Sequence, residues 1–216
     1  MKIKDKSMKQ SNSILTVGKN ILDIESKGIA LVRDNLDQSF VDAVSLLYNT
    51  QGTIIVTGIG KSGMIAKKIV ATLQSTGLSS HFVHPVDAFH GDFGMIKQGD
   101  TIIVISNSGE SGELVAFLKV IKSSDFNNKI LLISANNKSS IATFADVVLQ
   151  TYVTAENDDE NAKFIPTTSI TVSLSLADAL IISLLKLKSF HVKDFYRNHP
   201  GGKIGEKLKM VVKTNF

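Results

Sequence analysis

The chain has no cysteine and no tryptophan, and only three prolines in 216 residues. Without thiols there is no disulfide, no thiolate nucleophile and no cysteine-ligated metal, so a metal site would need histidine and carboxylate ligands. Long hydrophobic runs are also missing. The polar start, Met1 to Ser13, is followed by no apolar signal-peptide core. The most apolar helix-like stretch, Leu174 to Leu187, is too short for a bilayer and contains Asp178. A soluble cytoplasmic protein without a membrane partner is expected. Charge of one sign is scarce too, since 24 Lys+Arg against 20 Asp+Glu leave a net +4. The lysines cluster only modestly at the two ends (Lys2, Lys4, Lys6, Lys9; Lys203, Lys207, Lys209, Lys213), and no basic stripe is interleaved with aromatics. That argues against nucleic acid and suits a small anionic substrate.

What is present is alternation. From Ile14 to Tyr48 apolar residues recur at helical spacing (Ile21, Ile24, Ile29, Val32, Leu36, Phe40, Val44, Leu47). This predicts two helices, or one interrupted near Gly28. Residues 1–12 are expected to be a loosely attached or disordered tail, and residues 13–216 a single domain that begins with this helical segment. Short apolar strands follow at 53–57, 81–84, 101–105, 130–134 and 146–150, separated by helical patterns, the shortest around 139–144. Tyr152 to Ile165 is polar and acidic and reads as a loop. A long helix then runs from Pro166 through Lys188, apolar nearly all round, with Asp178 expected as a paired core group. Strands alternating with helices imply a doubly wound parallel sheet in a three-layer α/β/α sandwich. Ligands of such sheets bind outside the carboxyl ends of the strands, near the switch in strand order.

Two turns lie on that edge. After the third strand comes Ser106-Asn107-Ser108-Gly109-Glu110-Ser111, leading into a helix. Unpaired amides at a helix start favour an anion, the serines add donors, and Gly109 lets the backbone come close. Serines before helices also serve simply as caps. Glu110 repels phosphate, which suggests a second task such as proton transfer. After the first strand comes Gly58-Ile59-Gly60-Lys61-Ser62-Gly63, formally GxGxxG. The acidic ribose ligand of a dinucleotide fold is missing, since its place reads His81-Phe82-Val83-His84-Pro85. A Walker A loop would need glycine at Ile55. What remains is a glycine turn presenting Lys61 and Ser62 to the same edge as the serine turn. His81, His84 and His90, with Asp87 and Asp92, raise a metal reading, but no HExxH spacing occurs. Structural hydrogen bonds or substrate contacts are the expectation, with no metal. Near the end, Pro200 and two glycines hold His199 on a defined loop.

Together, GIGKSG, HPVDAFHGDFG, ISNSGES and NHPGG, in that order over roughly residues 15 to 208, resemble the sugar-isomerase (SIS) domain of the D-arabinose 5-phosphate isomerases. The resemblance implies a five-stranded parallel sheet of flavodoxin-like winding and a homotetramer with sites at subunit interfaces. It implies no redox or nucleotide cofactor. The implied reaction interconverts D-ribulose 5-phosphate and D-arabinose 5-phosphate, feeding Kdo synthesis for lipopolysaccharide or capsule. Carried over by motif, Ser62, Ser106, Ser108 and Ser111 would hold phosphate, with Gly60, Asn107 and Thr168 beside the substrate. Lys61, Glu110 and His199 match functional residues of the family, and His199 would enter a neighbouring subunit's site. A further glutamate falls after the fifth strand, where Glu156 has Glu160 as a rival. His84 and His90 match loop histidines of the family. Asp87 and Phe93 depart from its pattern, where Glu and Leu would be expected. Paired CBS domains, and regulation by them, are expected to be absent after NHPGG.

An aldose–ketose exchange needs a base that moves a proton between carbons 1 and 2 through an enediol, and an acid for oxygen. Glu110 or Glu156 is the expected base, His199 the group assisting oxygen proton transfer or ring opening, and Lys61 the stabiliser of negative charge. A non-enzymatic phosphosugar-binding regulator, or a SIS isomerase for another ketose phosphate, are the alternatives. A regulator would need the serines but not Glu110, Glu156 and His199 together.

Overall fold

The structure, a computed structural model, describes residues 2–214, with side chains from 13 to 212. Two helices come first, α1 (Lys2–Asp34) and α2 (Gln38–Tyr48). The tail expected over residues 1–12 lies outside the residues whose side chains are described. The break between α1 and α2 falls at 35–37, where Asp37 caps α2 by accepting the Ser39 amide at 2.9 Å. It is not at Gly28. That glycine lies inside α1 against α6, and a Cβ there would stand 2.8 Å from Val172 Cγ2. Close approach of two helices, not chain reversal, is its function.

Five strands follow: β1 (Ile54–Gly58), β2 (Ser80–Phe82), β3 (Thr101–Ile105), β4 (Lys129–Ser134) and β5 (Val147–Gln150). All pair in parallel, in the order β2-β1-β3-β4-β5. This is the flavodoxin-like order, with its switch point between β1 and β3. Helix α3 (Gly60–Ser75) leaves β1, and α5 (Gly112–Ser123) leaves β3. The short α4 (Pro85–Ala88) and a 3-10 turn (Asp92–Met95) occupy the histidine loop, and a second 3-10 turn (Ile141–Phe144) replaces the helix expected around 139–144. Beyond the loop come α6 (Thr168–Leu187), α7 (Val192–Asn198) and α8 (Gly202–Thr214).

Alternation along the strands builds two cores. Ile54, Val56, Ile103, Ile105, Leu131 and Ile133 face α2, α3 and α6, while Ile55, Ile102, Val104, Ile130 and Leu132 face α5. The central strands β1, β3 and β4 are buried on both faces, as a parallel sheet between helices requires, while the edge strands β2 and β5 are only partly covered. Helix α6 begins six residues before Leu174. At 20 residues and a mean hydropathy of 1.9 it is long and apolar enough to cross a membrane by length and composition. Ten of its residues are instead buried within this domain. Asp178, expected in the core, is half-exposed and pairs with Lys68 of α3. Among the exposed apolar residues, Ile14, Leu15, Val17 and Leu22 lie on α1 and Ile182 on α6.

The foot of the sheet is tied by Asp146. Burial raises its carboxyl pKa, but Lys129, the Ile130 amide and Lys122 more than offset this and hold it below the ordinary aspartate value. A depressed carboxyl contributes stability that is present above the unfolded pKa and lost as pH falls through the folded one. Asp146→Asn should therefore cost about 1 kcal/mol at pH 7, discounted for the exposed lysines. Urea unfolding should show the gap to wild type narrowing as the pH falls below the ordinary value of 3.8.

Candidate functional site

The connections after β1 and β3 lie side by side at the switch point and wall one cavity of about 340 Å³. Lys61 and Ser62 come from the first turn of α3, and Ser106, Asn107, Ser108 and Ser111 from the turn before α5. Glu156, Pro166, Ser169 and Ile170 close the third side, from the loop after β5 and the start of α6. Three helix N-termini thus converge on one space.

Their capping differs. Helix α3 begins after Ile59, which has no side chain to cap it, and Gly60 opens the helix at φ +58, a conformation that favours glycine. Helix α5 begins after Ser111, whose hydroxyl makes no capping hydrogen bond. The serine turn is not a capping cluster. Its hydroxyls act within the turn, where Ser106 Oγ accepts the Gly109 amide at 3.2 Å and Ser108 Oγ the Glu110 amide at 3.3 Å. Lys61 takes part in none of the ion pairs among the described residues. Two uncapped helix starts, hydroxyl donors and a lysine make a place for a small anion. The Asn107 Oδ1 is buried and finds no hydrogen-bond partner among the described residues, an acceptor at the same wall.

The start of α6 is occupied. Glu156 Oε2 accepts the amides of Thr167 and Ser169, both at 2.9 Å, and Oε1 accepts the Ser169 hydroxyl. Thr168, expected beside the substrate, is buried outside the cavity wall and donates its hydroxyl to the Glu156 carbonyl. Glu156 also walls an adjoining cavity of about 450 Å³, shared with Asn107, Thr154, Asn157, Lys163 and Phe164. Its rival Glu160 points into solvent and pairs with Lys163. The geometry favours Glu156 over Glu160.

Other expected residues stand elsewhere. Glu110 turns from the cavity to the connection after β4, where Ser140 donates to its carboxylate and holds it below the usual glutamate range. Gly60 shapes the turn without walling the cavity. His84 Nδ1 lies 3.9 Å from Asp87 and His90 is exposed, and neither reaches the cavity. Among the described residues no three His, Asp or Glu side chains are grouped to hold a metal ion. The His199 ring lies tilted against Phe195, centroids 4.0 Å apart, and its neighbour Asn198 donates to the Ser75 carbonyl at the end of α3. Because Ser75 lies fourteen residues beyond Lys61 along α3, that end stands about 21 Å from Lys61. Gly109 (φ +70) is wedged against the connection after β4, where a Cβ would meet Ser139 Oγ at 2.0 Å.

Ser169 was not legible in sequence. Its one local signal is its place at a helix start, while its partner lies 13 residues earlier.

An anion cradle at the switch point, with a fixed carboxylate opposite, places the chain among the doubly wound α/β domains that bind ligands at the carboxyl edge of the sheet. Comparison with known proteins narrows the class: residues 46–183 match the SIS domain family model, and the chain belongs to that family. It is 42% identical over 195 residues to arabinose 5-phosphate isomerase KdsD of Salmonella typhi, covering 90% of this chain and 58% of that protein. It is 38% identical over 196 residues to arabinose 5-phosphate isomerase KpsF of Escherichia coli O6:H1, covering 90% and 59%. The chain thus spans less than two thirds of the length of these curated relatives. A solved structure of E. coli CFT073 c3406 in complex with arabinose 5-phosphate superimposes with a TM-score of 0.81 at 36% identity, covering 88% of this chain and 98% of that one.

If the cradle binds an anion through Lys61, Lys61→Ala should weaken inorganic phosphate binding about tenfold, by loss of a charge-assisted contact. Calorimetry on both proteins reads this directly, and unchanged affinity would remove Lys61 from the site.

Proposed function

We propose that the protein is an arabinose 5-phosphate isomerase, interconverting D-ribulose 5-phosphate and D-arabinose 5-phosphate in the cytoplasm for Kdo synthesis. The observation that carries this reading is the single cavity that unites Lys61, the serine turn and Glu156. The named activity of the relatives and the arabinose 5-phosphate complex of the structural neighbour support the substrate.

In this mechanism the uncapped starts of α3 and α5, with Ser62, Ser106, Ser108 and Ser111, hold the phosphate, which anchors the reacting end. Glu156 removes the proton from carbon 2 of the open-chain aldose. The electron pair forms the carbon 1–carbon 2 double bond as oxygen 1 is protonated, giving an enediol. Loss of the oxygen 2 proton and delivery of one to carbon 1 complete the ketose. Lys61 stabilises the negative charge. No redox or nucleotide cofactor enters. Glu156 takes the base role over Glu110 because Glu156 walls the cavity, while Glu110 is turned to Ser140.

His199 lies roughly a helix length from its own cavity and acts in trans, in a homo-oligomer, as the group that moves the oxygen protons. The exposed apolar residues of α1 suit packing on another copy. Incubation with ribulose 5-phosphate, followed by NMR, should yield arabinose 5-phosphate, and Glu156→Gln should lower kcat by about 10²- to 10⁴-fold. Binding without turnover would favour a phosphosugar sensor, and turnover only of another ketose phosphate would favour a different isomerase. Mixing inactive Glu156→Gln with inactive His199→Ala should restore part of the activity through mixed oligomers. Failure of the mixture to recover any would place His199 outside the site.

A further inference from the structure

We propose that Ser169 is the positioning residue of Glu156, and that Oε1 is the atom through which Glu156 exchanges the substrate proton. This inference rests on the isomerase reading above and assigns the working atom within it. An ionised carboxylate offers about four acceptor positions, two on each oxygen. The two on Oε2 are filled by the amides of Thr167 and Ser169, at 2.9 Å each. One on Oε1 is filled by the Ser169 hydroxyl. One position remains, and it is on Oε1.

Ser169 therefore holds both oxygens of the same carboxylate, one by its amide and one by its hydroxyl. It is 2% exposed, and it sits in the first turn of α6, a helix anchored along its length in the core. Thr168 fixes the other end of Glu156 by donating to its carbonyl. Backbone and carboxylate are both pinned, so the free position on Oε1 has one orientation relative to the phosphate cradle. A proton taken there leaves all three existing hydrogen bonds in place. The C–H bond broken at carbon 2 passes its proton to Oε1, and its electron pair becomes the enediol double bond. No network has to be rebuilt when the proton is given back. A base held this way gains from orientation, where misplacement by about 1 Å can cost about 10²-fold. Glu110, held by Ser140 and turned away, has no such arrangement.

The test compares wild type, Ser169→Ala and Ser169→Thr with arabinose 5-phosphate carrying deuterium at carbon 2. Thermal melts of each variant are run alongside. Ser169→Ala should lower kcat about 10- to 100-fold while KM stays within about twofold, because the phosphate cradle is untouched. Its deuterium isotope effect on kcat should rise, since proton abstraction becomes the slow step. Ser169→Thr, which keeps a hydroxyl, should recover most of the loss. Wild-type kcat in Ser169→Ala, an unchanged isotope effect, or an equal fall in Ala and Thr variants would each overturn the proposal. Should Ser169→Ala fail to fold, Ser169→Cys replaces it, with the same loss and isotope effect expected and the same outcomes overturning. Glu156→Gln separates the two levels. Full activity in that variant with an active wild type would remove this proposal and the base role of Glu156 but leave the isomerase reading, whereas an inactive wild type would remove the isomerase reading as well.

Discussion

A helix leaves its first amides without partners, and this molecule brings three such helix starts to one point. Two of them, at α3 and α5, have no side-chain cap. The third, at α6, is satisfied by Glu156. The same electrostatic tendency is thus used in two ways around one cavity. Where the amides are open, they favour an anion brought from outside. Where they are filled, they hold a resident carboxylate in place. In the proposed mechanism, the separation of binding and proton handling follows from which helix start is capped.

The sheet makes this possible. In the order β2-β1-β3-β4-β5, neighbours β1 and β3 send their helices to opposite faces, so the space between their connections is open. The central strands β1, β3 and β4 are buried on both sides, which leaves the carboxyl edge as the place where irregular backbone can gather. Helix α6 serves both purposes. Its apolar length completes the core against α2 and α3, and its first turn supplies the wall that carries Ser169.

Much of this was readable from residue order. Short β-branched strands followed by glycine- or serine-rich turns located both sides of the cradle, because turn chemistry is local. The helix break was misplaced at Gly28 because a glycine that ends a helix and one that admits a neighbouring helix look alike without the neighbour, here Val172 of α6. Glu156 and Glu160 could not be separated by position along a loop; the direction of the side chain separates them, one capping α6 and the other pairing with Lys163 in solvent. Glu110 sits at the centre of the serine turn in sequence, yet its direction depends on Ser140, which belongs to a different connection. Ser169 was invisible for the same reason, since its partner is distant along the chain.

The wedge at Gly109 has a consequence for how such a site can change. With Ser139 filling the space a side chain would need, and the Gly109 carbonyl accepting the Ile141 amide at 3.0 Å, the serine turn is keyed to the connection beyond β4. It works as a rigid gauge for the charged end of whatever enters, ready-shaped before arrival, so little ordering cost is left for the moment of capture. On the proposed isomerase reading, adaptation to sugars of other lengths falls to the other walls of the cavity, the acidic loop that bears Glu156 among them, while the gauge stays as it is.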